Sequence, residues 1–122
     1  MKKSTFFCDI DGTLFHYRKF ETYKSTIPVP VSDNIDLLNE VFDNGNCIIL
    51  TTARPEYLRT HTMKELNEAN VKYHRLVMGI ERGTRFLIND KEDPAVDRAV
   101  SININRNQAF TPEQKNTMKS SI

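Results

Sequence analysis

Short apolar runs that each end in polar, chemistry-bearing residues restrict the fold of this chain more than any other feature. Thr5-Phe6-Phe7-Cys8-Asp9-Ile10 is closed by Gly12. Cys47-Ile48-Ile49-Leu50 runs into Thr51 and Thr52, and Phe86-Leu87-Ile88 runs into Asn89 and Asp90. Runs of this length, with turn residues behind them, are the signature of buried strands. Val71 to Met78 reads as a further strand between the last two. Between the first two runs, Ile35, Leu38, Val41 and Phe42 recur at helical spacing with Leu37 beside them. Ser32 or Asp33 stands ready to cap that helix, and Asn44-Gly45 to stop it in a left-handed turn. Pro55 suits the first turn of a second helix, whose apolar side is Leu58, Met63 and Leu66 and whose end is Asn70. The order β, α, β, α, β, β predicts an α/β fold: a three-layer, Rossmann-like parallel sheet with flanking helices.

At ~100–200 residues per domain, 122 residues make one domain. We read residues 1–105 as the core domain and 106–122 as a polar C-terminal tail. Thr111-Pro112-Glu113-Gln114 in that tail is a helix start with a capping box, and Phe110 and Met118 are its apolar anchors. Residues 13–30 read as a flexible turn or small hairpin, residues 94–99 as a short helical turn, and Ile102 and Ile104 as an edge strand. Seventeen basic residues face sixteen acidic ones, a net charge of +1, which implies no general polyanion-binding surface. No apolar run approaches the ~20 residues of a membrane helix. No extended apolar stretch precedes Asp9, so neither a membrane partner nor a cleaved leader is expected. Cys8 and Cys47, each within an apolar run, read as free thiols in a reducing, cytoplasmic setting.

In open α/β sheets, ligands bind beyond the carboxyl ends of the strands. The polar groups delivered there are Asp9, Asp11 and Thr13, then Thr51, Thr52 and Arg54, then Asn89, Asp90 and Lys91. Asp9 and Asp11, two residues apart at a strand end, can face one crevice. Carboxylates that close repel unless a cation or a proton intervenes, and Mg²⁺ suits such oxygen ligands. One aspartate would attack a phosphorus atom while the other moves the proton. A calcium loop fits poorly, because its glycine position would be Leu14. His61 and His74 lack a second ligand at metal spacing and read as structural.

Asp9-Ile10-Asp11-Gly12-Thr13 after an apolar strand resembles the first motif of the haloacid dehalogenase superfamily. Ile49-Leu50-Thr51-Thr52-Ala53-Arg54, Val71-Lys72-Tyr73-His74, Leu76-Val77-Met78-Gly79 and Ile88-Asn89-Asp90-Lys91 follow in that family's order. The likeness covers residues 5 to about 105 and is nearest to small capless phosphatase-like proteins associated with polysaccharide gene clusters. It implies a haloacid-dehalogenase-like sheet and a phosphomonoester hydrolase working through an aspartyl-phosphate. Asp9 would be the nucleophile. Asp11 would serve as acid and base and touch Mg²⁺ through its carbonyl. Thr52, or Thr51 if the strand ends earlier, would bind the phosphoryl oxygens, and Asp90 with Asn89 would complete the metal site. Close relatives place a Lys directly after the motif-three glycine, where this chain has Ile80. Arg82 is its first substitute and Arg85 its second. Asn89 replaces the first acid of a common Asp-Asp pair.

Forty residues separate Asp11 from Thr52 and thirty-seven separate Thr52 from Asp90, room for the expected elements and for no cap domain. The site is therefore expected to be open, or covered by a neighbouring subunit of a homo-oligomer. The expected substrate is a phosphorylated small molecule, a sugar phosphate or a nucleotide. Lys2, Lys3, Arg18 and Lys19 give a nucleic-acid 3′-phosphatase weaker support. The departures at Ile80 and Asn89 motivate a third reading, a catalytically weak phosphate-binding protein. His16, Tyr17, Arg18 and Lys19 follow the first motif and read singly as solvated. Arg54 reads as lining the site or capping a helix, and Met63 and Met78 read as core.

Overall fold

The structure, a computed structural model, describes residues 3–120. Lys2 and the last two residues of the tail lie outside the described residues. Three parallel strands form one sheet: β1 (Thr5–Asp9), β2 (Cys47–Thr51) and β3 (Arg75–Val77), in the order β1-β2-β3. Helix α1 (Ser32–Asp43) joins β1 to β2. A 3-10 turn (Glu56–Leu58) and α2 (Arg59–Glu68) join β2 to β3, and α3 (Pro112–Lys119) ends the described chain. The architecture is α/β and Rossmann-like, and no helix among the described residues is long and apolar enough to cross a membrane.

The pairing register fixes which side chains share a face. Phe6 is opposite Ile48, Cys8 opposite Leu50, and Leu50 opposite Leu76. Cys8, Ile48, Leu50 and Leu76 are buried in one core with Ile35, Leu38 and Val41 of α1, Leu66 of α2 and Met118 of α3. On the other face Phe7 and Val77 stay about half exposed. The expected third layer is thus missing among the described residues, and helices cover one face of the sheet. Parallel sheets are ordinarily covered on both sides.

Several elements depart from the sequence expectation for identifiable reasons. Helix α1 has Val31 at its N-cap and no side-chain cap. The Val31 carbonyl instead accepts from the N–H groups of Asn34 and Ile35. Strand β3 is only three residues long. The imidazole Nδ1 of His74 accepts the N–H of Ile48 at 3.0 Å and so occupies a ladder position of β2. Phe86-Leu87-Ile88 forms no strand, and Phe86 and Ile88 are almost fully exposed. Arg75–Val77, equally short, pairs with β2, whereas this run has no neighbouring strand among the described residues to bond with. Residues 94–99 hold a turn in which Val96 N–H bonds to Asp93, and Ile102 and Ile104 pack on the core without forming a strand. Met63 is exposed because the buried stripe of α2 runs through Thr62, Glu65 and Leu66, and Met63 lies about 100° round the helix from Thr62.

The C-terminal segment is tied to the body of the protein. Thr111 caps α3 and Gln114 returns the bond, the expected capping box, while Phe110 and Met118 are buried. Asn34, fully buried on α1, fastens this segment to the loop after β1. Its Nδ2 donates to the carbonyls of Thr13 and Gln108 at 2.9 and 3.0 Å, and its Oδ1 accepts from Phe110 N–H at 2.9 Å. Asn34→Ala strands three backbone groups. We expect it to lower unfolding free energy by about 2–3 kcal/mol in urea titrations. A loss below about 0.5 kcal/mol, the level of an ordinary surface change, would contradict this role.

Candidate active site

The site begins with how β1 ends. After Asp9 the chain turns on the carbonyl of Ile10, which accepts from the N–H groups of Thr13, Leu14 and Phe15. Gly12 makes the turn at φ +89°, and Arg106 Cγ lies 3.3 Å from where a Cβ would be. A side chain there would meet both backbone strain and crowding. The turn brings Thr13 back to Asp9, and Thr13 Oγ1 donates to Asp9 Oδ2 at 3.1 Å. Burial, opposed by the Thr13 hydrogen bond and the Arg85 charge and reinforced by Asp11, raises the Asp9 carboxyl above its ordinary range. Burial, and secondly the Asp9 charge, push the neighbouring Cys8 thiol up to about 12, so that Cys8 remains a protonated core residue. Cys8 and Cys47 are both free.

Asp11 is held differently. Arg54 Nε donates to Asp11 Oδ2 at 2.9 Å and Arg54 Nη2 to Asp11 Oδ1 at 2.8 Å, a bidentate pair. Arg54 is fully buried and stacks over Tyr23 with its Cζ 4.3 Å from the ring centroid. Its third nitrogen donates to Thr62 Oγ1 and to Glu65 Oε1 at 3.1 and 2.7 Å. Glu65 also takes both terminal nitrogens of Arg18, at 3.0 and 2.7 Å. His61 Nε2 is 3.2 Å from Glu65 and 3.0 Å from the Tyr23 carbonyl. Burial works against the Glu65 charge, yet the Arg18 and Arg54 hydrogen bonds outweigh it and lower this carboxyl below its ordinary range.

Thr52, just past β2, is buried, and its Oγ1 accepts from Arg54 N–H at 3.1 Å. Among the described residues no acceptor takes its hydroxyl hydrogen, which leaves that hydrogen for a ligand. Thr51 lies within β2, between Asp9 and Val77. A cleft of about 160 Å³ is lined by Asp9, Asp11 and Thr52 together with Arg82, Arg85 and Arg106. Tyr17, Phe20 and Tyr23 supply its aromatic wall. Arg85 Nη2 is 4.0 Å from Asp9 Oδ1.

The structure therefore brings Asp9, Asp11, Thr52 and Arg82 together, along with Arg85, and leaves Asn89 and Asp90 elsewhere. Both of the latter are exposed and outside the cleft, and Asp90 pairs with Arg98 at 2.9 Å. Among the described residues no three His, Cys, Asp or Glu side chains come together as a metal group. With both Asp11 oxygens engaged by Arg54, Arg85 4.0 Å from Asp9, and Arg82 and Arg106 lining the same cleft, the residues present do not fit the Mg²⁺ site that the sequence implies. Arg18 is buried rather than solvated, and Arg54 lines the cleft. Glu65 and Arg106 also belong to this arrangement, beyond the residues that the motifs mark. Helical spacing from Leu58 and Thr62 could have placed Glu65 on the buried side, whereas nothing in the sequence signals Arg106.

No protein-family model matches the chain, and no curated protein does. Two solved structures share its architecture. A crystal structure of a target protein from Vibrio cholerae superposes with a TM-score of 0.55 at 20% identity, covering 96% of this chain and 97% of that one. A chain in the structure of a Pnkp1/Rnl/Hen1 complex gives 0.54 at 23% identity, covering 69% of this chain and 30% of that one. The likeness is one of fold. This chain corresponds to less than a third of the second neighbour.

Proposed function

We propose that the cleft takes a phosphate monoester and that Asp9 accepts its phosphoryl group, the chemistry of a phosphomonoester hydrolase of the haloacid dehalogenase type. The observation that carries this reading is the placement of Asp9, oriented by Thr13, in one cleft with the Thr52 hydroxyl and three arginines. Phosphoryl transfer depends mainly on positioning and charge neutralisation. The phosphoryl oxygens would meet the guanidinium groups and Thr52 Oγ1. Asp9 Oδ would form a bond to phosphorus as the ester P–O bond breaks. The departing alkoxide takes a proton from solvent, and water then hydrolyses the acyl phosphate to inorganic phosphate and regenerates the carboxylate.

Asp11 favours a second reading. Both of its oxygens accept from Arg54, an arrangement that turns them to the guanidinium and away from a leaving group. A phosphate-binding protein with little turnover would keep this geometry. The nucleic-acid reading has less behind it, because Arg18 is consumed by Glu65 and Lys3 Nζ bonds to the Asn44 carbonyl beside the amino ends of the strands. A panel of sugar phosphates, nucleotides and a 3′-phosphorylated oligonucleotide separates these readings. Phosphate release from the small esters is expected. Binding of inorganic phosphate without turnover of any ester would favour the second reading, and the absence of both would overturn the two together. Preference for the oligonucleotide would select the nucleic-acid substrate.

A further inference from the structure

We infer that Arg82, Arg85 and Arg106 take the place of a divalent ion, so that this cleft binds a phosphate dianion without metal. The inference rests on the reading that the cleft takes phosphate, and it names how. The buried cluster that reaches the cleft through Asp11 and Arg54 is balanced: Arg18 and Arg54 face Glu65 and Asp11, two cations against two carboxylates. What remains at the cleft is the Asp9 carboxylate with three guanidinium groups, a formal excess of two positive charges. A phosphate monoester dianion cancels that excess. A divalent cation would double it, in a cleft where, among the described residues, no three Asp, Glu, His or Cys side chains come together.

The arginines are also held ready. Arg82 stacks over Phe20, its Cζ 4.7 Å from the ring centroid, and its Nη2 is 3.4 Å from the Tyr17 hydroxyl. Arg106 stacks over the Tyr17 ring at 4.0 Å. The backbone beside it is strapped to the first loop, since Asn107 N–H donates to the Gly12 carbonyl at 2.8 Å and Asn107 Oδ1 accepts from Tyr17 N–H at 2.5 Å. Asn107 adopts φ +67° there. Neither Arg82 nor Arg106 has a carboxylate partner among the described residues, while Arg85 faces Asp9 itself. A guanidinium held over an aromatic ring keeps its N–H donors available to a phosphate with little further ordering. The C-terminal segment thereby contributes a binding residue to a site otherwise built from the strand ends.

Calorimetric titration of the whole chain with inorganic phosphate tests this, first in EDTA and then in Mg²⁺ at matched ionic strength. The dissociation constant is expected to agree within about twofold between the two buffers. Arg85→Gln and Arg106→Gln are each expected to weaken binding by about tenfold or more, as loss of a charge-assisted hydrogen bond does. Thermal midpoints in phosphate-free buffer show whether each variant is folded, and Arg106→Lys, which keeps the charge, should recover part of the loss. Binding that tightens tenfold or more with Mg²⁺, or folded arginine variants that bind as tightly as the parent, would overturn the inference and leave the phosphate reading standing. No binding in either buffer would sink both.

Discussion

Glu65→Ala is expected to destabilise the fold by about 3–5 kcal/mol, the range found when one member of a buried ion pair is removed. The side chains of Arg18, Arg54, Glu65 and Asp11 are all at most 10% exposed. Glu65 is the carboxylate that both arginines share. Its loss leaves Arg54 paired with Asp11 and takes from buried Arg18 the carboxylate it is paired with. Domains of this size commonly have only ~5–15 kcal/mol of stability in total, so the variant should unfold at much lower urea. Acidification should show the same dependence. The folded-state pKa of Glu65 lies below the ordinary glutamate value, so its contribution is full above that value. It is lost as pH falls through the lowered folded-state pKa. The stability difference between the parent and Glu65→Gln should therefore shrink on acidification below the ordinary glutamate range. A difference independent of pH would remove the ionised Glu65 from the account.

Asp9→Asn should have the largest effect on chemistry. An amide does not accept the phosphoryl group, and turnover should fall by about four orders of magnitude or more. Stability is expected to move the other way. A carboxyl whose folded-state pKa is raised destabilises the fold increasingly as pH rises from the ordinary aspartate range through that folded-state value. Above it the destabilisation is complete, and the asparagine variant is free of it. At neutral pH its thermal midpoint should therefore exceed that of the parent. A variant that loses activity and stability together would be a damaged fold and would say nothing about a nucleophile.

Local periodicity and capping chemistry made part of this molecule legible. The apolar spacing of Ile35, Leu38 and Val41 gave α1, Asn44-Gly45 its end, and Thr111 with Gln114 the start of α3. The strand-end rule brought Asp9, Asp11 and Thr52 to one cleft, because β1 and β2 pair in parallel and end level with each other. Long-range pairing was not legible. Nothing local indicates that Arg54 reaches Asp11 across 43 positions or that Arg18 reaches Glu65 across 47. A charged residue on a helix reads as solvated until its partner is known. Phe86-Leu87-Ile88 misled for the opposite reason: an apolar run reads as buried, yet this one finds no strand to pair with. With it, Asp90 lost the position that the motif order implied.

Phosphorylation of Asp9 can be read out by chemical trapping. The whole chain would be incubated with an activated small phosphate ester, quenched in acid and reduced with borohydride, which converts an aspartyl-phosphate to homoserine. The peptides would then be read by mass spectrometry. Homoserine at position 9, absent without the ester and absent in Asp9→Asn, is the predicted result. Ester turnover with no modification at Asp9, or modification at Asp11 in its place, would contradict it.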